Sequence, residues 1–270
     1  MRIVFQTKSN PKGEQMLSRI TIFVYGVACY AVTLATFLYL GGFLGNFGLA
    51  NSIDSGRQSP IAVALIVNFA LLGLFALQHS VMARPWFKAA WTRIVPQPAE
   101  RSTYLLFSCA AMYLLIREWQ PMGGVIWNVE NHAGRLILIA LYAAGWLVVL
   151  AATFLINHFD LFGLRQIWLN LRGRTYTTLK FRTPGMYRYI RHPLYLGWLL
   201  VFWSAPLMTS AHLFFAVVTS AYIFVAIQFE ERDLARMHRE YAQYRQQVPM
   251  IVPIGSSTRK GSAELLADGD

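Results

Sequence analysis

Apolar positions along this chain come in long uninterrupted blocks. They show neither the three-and-four spacing of a soluble amphipathic helix nor the alternation of a half-buried strand. Residues 20–44, 61–77, 102–116 and 136–156 carry no formal charge. As helices rising about 1.5 Å per residue, each would cross or nearly cross a hydrocarbon core about 30 Å thick. A fifth block, 193–229, is also free of formal charge; as one helix it would measure roughly 55 Å and overshoot the bilayer. Pro206 and the polar pair Thr209-Ser210 therefore predict a tight turn, with a short helix over 194–205 and a longer one over 211–229. The fold class that follows is all-α, a polytopic membrane bundle of five or six helices. The count turns on whether the short arm spans. No internal repeat is evident.

Two segments depart from the block pattern. Residues 159–191 are basic and interrupted by Gly163, Gly173, Pro184 and Gly185, which predicts a loop with at most a short interfacial helix over 164–171. Beyond 229, Leu234, Met237, Tyr241, Tyr244 and Val248 recur at steps of three and four, which predicts one amphipathic helix ended by Pro249. The polar tail over 255–270 reads as disordered.

Composition supports the membrane reading. Of the 270 residues 56% are hydrophobic and only 14% charged, against about 25% charge in soluble domains. That balance excludes a disordered or ordinary water-soluble chain. A net charge of +11 would suggest nucleic acid if the basic residues gathered on one module, but they do not. Segments 1–19, 83–101, 160–191 and 230–250 hold 4, 4, 7 and 4 of them, and the other inter-span loops hold only Arg57, Arg117 and Arg135. Alternate loops are thus basic, which predicts a multi-pass protein with both termini in the cytoplasm and no nucleic-acid partner. The first block is longer than a signal-peptide core and lacks a cleavage pattern, so it reads as a retained span. Cys29 and Cys109 fall inside predicted spans without CxxC or Cys/His spacing, so packing is their expected role and no metal site is predicted.

The chemistry-bearing residues gather near the last hairpin. In the run Tyr187-Arg-Tyr-Ile-Arg191-His192-Pro193-Leu-Tyr195-Leu-Gly197-Trp198, Pro193 suits a first helical position, which puts Arg191 and His192 at the helix end. The free N–H groups and partial positive charge there suit a carboxylate. The same two residues would serve equally as interface anchors. Glu230-Glu231-Arg232-Asp233-Leu234 sets two carboxylates at a membrane edge, where they need solvent or a partner. Glu230 shares the helical face of Leu234, Met237 and Tyr241 and is expected to point inward; pairing with Arg191 or Arg188 for structure alone is the other reading. A pocket between the two motifs would offer aromatic rings, a helix N-terminus for a carboxylate, and a Glu for an ammonium or ribose hydroxyls. A zwitterionic amino acid carrying an adenosine fits it. The chain has no GxGxxG fingerprint and no βαβ pattern.

These motifs resemble the integral-membrane methyltransferases of the isoprenylcysteine carboxyl methyltransferase and phospholipid methyltransferase superfamily, which share the RHPxY segment, the Glu-Glu pair and a closing Tyr241, Tyr244, Val248, Pro249. A closer resemblance covers nearly the whole chain from about Gln78. The segments Gln78-His-Ser-Val-Met-Ala-Arg-Pro-Trp86, Pro98-Ala-Glu-Arg-Ser-Thr-Tyr104, Asn157-His-Phe-Asp-Leu-Phe-Gly-Leu-Arg-Gln166 and Phe181-Arg-Thr-Pro-Gly185 are similar to the bacterial methanethiol S-methyltransferases. One departure is Met237-His238, with one residue fewer, where relatives commonly carry Phe-Gly. The resemblance implies a single integral-membrane methyltransferase domain over 1–270: a cytoplasmic segment 1–19, helices within 20–158, and a catalytic loop, hairpin and helix over 159–250. It further implies S-adenosyl-L-methionine as cofactor, a small thiol as substrate, and the bacterial cytoplasmic (inner) membrane as location. By the same resemblance the cofactor contacts fall on Lys180, Phe181, Tyr187, His192, Tyr195 and one or both of Glu230 and Glu231, with Arg191 beside them at the helix end.

An alkyl thiol no more acidic than Cys, with pKa about 8.5, is only slightly ionised at neutral pH, so a base or positive surroundings would help it. His79 and His158 close the second and fourth predicted spans and are the candidate catalytic groups, with Gln78, Arg84 and Asn157 as orienting neighbours. His132, His212 and His238 have no such assignment. Two other functions stay open at this point: methylation of another acceptor, such as an isoprenylcysteine carboxylate or a lipid, and a haem- or quinone-handling membrane protein with His79 and His158 as ligands.

Overall fold

The computed structural model describes residues 11–49, 51–56 and 58–252. The tail over 255–270 and residues 1–10 of the N-terminal segment lie outside them. Ten helices and two short strands follow in the order α1 (Pro11–Gly45), α2 (Ile61–Met82), α3 (Pro85–Trp91), α4 (Glu100–Glu118), β1 (Val125–Asn128), α5 (His132–Ile156), α6 (His158–Leu161), α7 (Leu164–Leu171), α8 (Pro193–Trp203), β2 (Leu207–Thr209), α9 (Ser210–Met237) and α10 (Glu240–Gln247). Among the described residues, four helices are long and apolar enough to cross a membrane: Gln15–Gly45, α2, α5 and α9. The chain is a mostly helical, multi-pass membrane protein. The apolar α8 has 11 residues, about 16 Å of helix, which is half a hydrocarbon core. In α4 the uncharged stretch sits between Glu100-Arg101 and Arg117-Glu118.

Two compact units divide the chain. The first takes residues up to Tyr39, Leu74–Leu114 and Phe159–Thr178; the second takes Leu40–Gly73, Leu115–His158 and the residues from Leu179 onward. In the first, Met82, Tyr104, Leu105 and Phe162 form a buried cluster with Tyr30, Phe37, Phe87 and Trp91 packed on it. Cys29 and Cys109 are buried and free, and Thr33 Oγ1 lies 3.5 Å from the Cys109 thiol. The amphipathic α7 has the bounds expected for the interfacial helix, and its Ile167 is fully buried.

In the second unit α8 packs closely along α5. Gly145 and Gly197 meet there: a Cβ on Gly197 would stand 2.8 Å from the Val149 backbone nitrogen, and one on Gly145 would stand 2.9 Å from the Gly197 carbonyl oxygen. Small residues let two apolar helices approach backbone to backbone. This contact fixes α8, whose first turn carries the RHPxY motif.

Two sequence expectations are corrected. The tight turn at 206–210 is a strand, because Leu207–Thr209 pairs antiparallel with Val125–Asn128, Val129 N–H donates to the Pro206 carbonyl at 2.9 Å and the Trp127 indole donates to the Ala205 carbonyl at 2.9 Å. A four-residue Val-Ile-Trp-Asn segment has β-propensity but no meaning as a strand until a partner some 80 residues away supplies the ladder. The single amphipathic helix over 234–248 is two helices. α9 runs on to Met237, His238 is extended at φ −130° and ψ 114°, and α10 starts at Glu240. The break falls at Met237-His238.

Candidate active site

The RHPxY run forms a short turn over Gly185–Arg188 and then α8, with Pro193 in the first turn and His192 at the N-cap. The missing N–H of Pro193 costs nothing there. The His192 side chain makes no capping hydrogen bond. It is buried, and its Nε2 lies 3.1 Å from Glu231 Oε1. Arg191 Nε donates to the same oxygen at 2.7 Å, and Arg245 Nε stands 3.2 Å from Glu231 Oε2. Glu231, with 3% of its side chain exposed, is thus held by three donors from two elements. A carboxylate this deep needs such partners to stay charged.

Arg191 also ties down the C-terminal segment. Its Nη1 donates to the Arg245 and Val248 carbonyls at 2.9 and 2.6 Å, while the backbone N–H groups of Arg191 and His192 donate to the Pro249 and Met250 carbonyls at 2.9 and 3.0 Å. Tyr244 Oη donates to the Tyr187 carbonyl at 2.6 Å. Phe181 packs against His238, Tyr241 and Tyr244 with ring centroids 5.5, 5.8 and 5.6 Å away. The path 181–250 therefore closes on itself around the start of α8.

Glu230 is placed differently from its neighbour. It is 44% exposed and accepts one hydrogen bond, from Tyr195 Oη at 3.0 Å. The expectation that Glu230 points inward on the face of Leu234, Met237 and Tyr241 is corrected: Met237 is exposed, and the buried stripe of α9 is Ser220, Ile223, Ile227 and Glu231. The misplaced phase came from running one helix through His238. The Tyr187 hydroxyl is buried and has no hydrogen-bond partner among the described residues. Burial, with Glu230 and Tyr244 nearby, pushes its pKa up, and burial does the same to Tyr241 and Tyr244. All three hydroxyls stay protonated at neutral pH.

The structure therefore brings Phe181, Tyr187, Arg191, His192, Tyr195, Glu230 and Glu231 together in the second unit. Lys180 is exposed in the loop before them and makes no hydrogen bond or ion pair among the described residues. Arg245, Tyr241 and Tyr244 complete the site. The two tyrosines were visible as a motif, whereas Arg245 carried no signal beyond its position one turn after Tyr241.

His158, also in the second unit, is buried against Phe154 with rings stacked at 4.2 Å. Its Nδ1 lies 2.9 Å from Thr153 Oγ1, and that hydroxyl donates to the Leu150 carbonyl at 2.7 Å. The ring proton therefore sits on Nδ1 and the lone pair on Nε2. Burial lowers the pKa of His158, so the ring is neutral at pH 7. Asn157 caps α5 through its backbone N–H. His79 belongs to the first unit. Tyr104 Oη lies 2.9 and 3.0 Å from its two ring nitrogens and Ser108 Oγ 3.3 Å from Nδ1. The orienting neighbours expected for it are corrected: Gln78 Nε2 contacts the Met82 sulfur at 3.2 Å and Arg84 Nε donates to the Ser80 carbonyl at 3.2 Å. The partners come from α4, which no local spacing around His79 could reveal.

Residues 135–242 match the phospholipid methyltransferase family. The chain is 55% identical to a methanethiol S-methyltransferase of Crocosphaera subtropica over 92% of this chain and 96% of that protein. It is 48% identical to one of Mycobacterium tuberculosis over 88% and 98%, and 47% identical to methanethiol S-methyltransferase 1 of Bradyrhizobium diazoefficiens over 86% and 81%. No solved structure matches. With the RHPxY turn and the Glu-Glu pair assembled in one unit of a multi-pass membrane protein, and with relatives of this identity along almost its whole length, the chain belongs to the methanethiol S-methyltransferase family of membrane enzymes.

Proposed function

We propose that the protein methylates a small thiol with S-adenosyl-L-methionine, converting methanethiol to dimethyl sulfide. The observation that carries this reading is the contrast between a saturated Glu231 and an unsaturated pair beside it. Glu230 keeps acceptor capacity after its one bond from Tyr195, and the buried Tyr187 hydroxyl has a proton to donate. These suit the ammonium or ribose hydroxyls and an acceptor atom of such a cofactor, while the N-terminus of α8 suits its carboxylate. When bound, the cofactor supplies a methyl group on a positively charged sulfur. Arg191, His192 and Arg245 hold Glu231 and so position the turn; Tyr195 orients Glu230; Phe181, Tyr241 and Tyr244 form the apolar wall. The thiol proton would leave to a base or to solvent, and the resulting thiolate sulfur would bond the methyl carbon as the cofactor's S–CH3 bond breaks, the electron pair staying on the sulfur of the departing S-adenosylhomocysteine.

His158 and His79 are the candidate acceptors of that proton. The lone pair on Nε2 can accept a proton, and the lowered pKa leaves the His158 ring uncharged at neutral pH, at the expense of some basicity. If either histidine takes the proton, the rate deficit of its Gln variant shrinks as pH rises from about 7 toward 9, because the thiol then ionises unaided. A deficit independent of pH in both would remove the role. The basic loops support a site on the cytoplasmic face of the bacterial inner membrane, with both termini on that side.

The deciding experiment incubates the purified protein with S-adenosyl-L-methionine and separate acceptors, namely methanethiol, larger alkyl thiols, a prenylcysteine and phosphatidylethanolamine. Dimethyl sulfide in the headspace, lost in Glu230→Gln, is the expected result. Methylation of only the prenylcysteine or the lipid would overturn the substrate, and no transfer to any acceptor would overturn the activity.

A further inference from the structure

Residues 84–101 of the first unit place cations around an ammonium that makes no hydrogen bond or ion pair among the described residues. α3 turns Phe87 and Trp91 toward the buried cluster of Met82, Tyr104, Leu105 and Phe162. At 100° per residue, Trp86 and Lys88 then flank the outward face on opposite sides. Trp86 is 65% exposed, and Ile94, just past the helix, is 80% exposed. Two large apolar side chains so bare at the end of a membrane-spanning helix belong at a lipid interface, where Trp is favoured.

Lys88 is half-buried and makes no hydrogen bond or ion pair among the described residues. The charged groups that act on it electrostatically are Glu100, Arg101 and Arg84, so cations outnumber the one carboxylate. Arg101 is fixed in place: its Nε donates to the Leu161 carbonyl at 2.9 Å and its guanidinium lies 5.4 Å over the Tyr104 ring. Burial pushes the Lys88 pKa down; Glu100 works against that shift and Arg101 and Arg84 add to it. An anion between Lys88 and Arg101 would relieve both the desolvation and the repulsion.

We propose that this surface binds the phosphate of an anionic phospholipid, with Lys88 and Arg101 pairing its oxygens. Free phosphate would satisfy the cations yet leave Trp86 and Ile94 in water, whereas a lipid covers both. Basic clusters beside spans attract anionic headgroups by about 1 kcal/mol per cation, or roughly fivefold in affinity.

The test titrates the full-length protein in neutral detergent with phosphatidylglycerol, phosphatidylcholine or inorganic phosphate, reading the thermal midpoint against concentration. Phosphatidylglycerol is expected to raise the midpoint saturably, with phosphatidylcholine and inorganic phosphate having little effect. Lys88→Met should weaken the phosphatidylglycerol response about fivefold, and Lys88→Arg should retain it. Because a variant can fail to fold, the parent protein supplies a second measurement: its response must weaken as salt rises from about 50 to 500 mM. An unchanged response in Lys88→Met, a salt-independent response, or an equal response to phosphatidylcholine or to inorganic phosphate would each overturn the proposal.

Discussion

The two ends of α9 each set a buried carboxylate near a histidine, and they do different things with it. At the start of the helix, Asp54 accepts hydrogen bonds from Thr209 Oγ1 and, at 2.5 Å, from Asn46, with His212 Nδ1 3.9 Å away. Thr209 in turn caps α9 by accepting from the His212 N–H at 3.1 Å, and His212 Nε2 donates to the Phe202 carbonyl at 3.2 Å. This is a staple between the loop after α1, the strand and the helix. At the other end, Glu231 is gripped as tightly, but Glu230 stands beside it half-open, and the Tyr187 hydroxyl has no acceptor among the described residues. A carboxylate with a histidine is therefore no mark of a reaction site by itself. The mark is the unsatisfied group next to the satisfied one.

The largest expected effect comes from breaking the grip on Glu231. Arg191→Ala removes a partner 10% exposed from a carboxylate 3% exposed, and such a break costs up to about 3–5 kcal/mol, because the buried charge keeps only His192 and the half-exposed Arg245 as partners. It also frees the Val248 and Arg245 carbonyls. Denaturant or thermal unfolding in detergent measures the loss; parent-like stability would show that the pair contributes nothing. Glu230→Gln is expected to do the reverse, leaving stability within about 0.5 kcal/mol while weakening cofactor binding by about 1.5–3 kcal/mol. Calorimetric titration and an unfolding curve on the same sample test this, and equal stability losses at Glu230 and Glu231 would erase the distinction between them.

The smallest effect belongs to the staple. Asp54→Asn keeps an acceptor for Thr209 but loses its charge, a change worth about 1 kcal/mol, and methyl-transfer activity should survive. Burial pushes the Asp54 pKa up, but the nearby His212 and the hydrogen bonds from Thr209 and Asn46 outweigh it and hold the carboxyl below its ordinary value. A depressed folded pKa contributes stability above the unfolded value of about 3.9, and that contribution disappears as pH falls through the folded one. The advantage of the parent over Asp54→Asn should thus be constant from pH 5 to 8 and shrink below about 4. A stability difference that grows on acidification would refute this.

Much of the fold is legible in the sequence, because its causes are local. The uncharged blocks set the long spans, Pro193 set the start of α8, and the glycines and Pro184 set the loop around α7, each through chain length, φ restriction or hydropathy that a neighbour does not change. The site was legible as a set of residue types through the RHPxY run and the Glu-Glu pair. Its internal arrangement was not. Two adjacent carboxylates on a helix point about 100° apart, and which one turns inward depends on where the helix stops and what faces it. The extended His238 and the guanidinium of Arg191, 40 residues before Glu231, decided that question. The same is true of the pairing of β1 with β2, of Tyr104 and Ser108 on His79, and of the close approach of Gly145 to Gly197. The sequence alone determined a basic-looped membrane methyltransferase with its candidate site residues beside the last hairpin. Only the tertiary structure decided which groups are spent on holding that hairpin together and which are left over to bind, because hydrogen-bond saturation belongs to a three-dimensional neighbourhood and not to a residue.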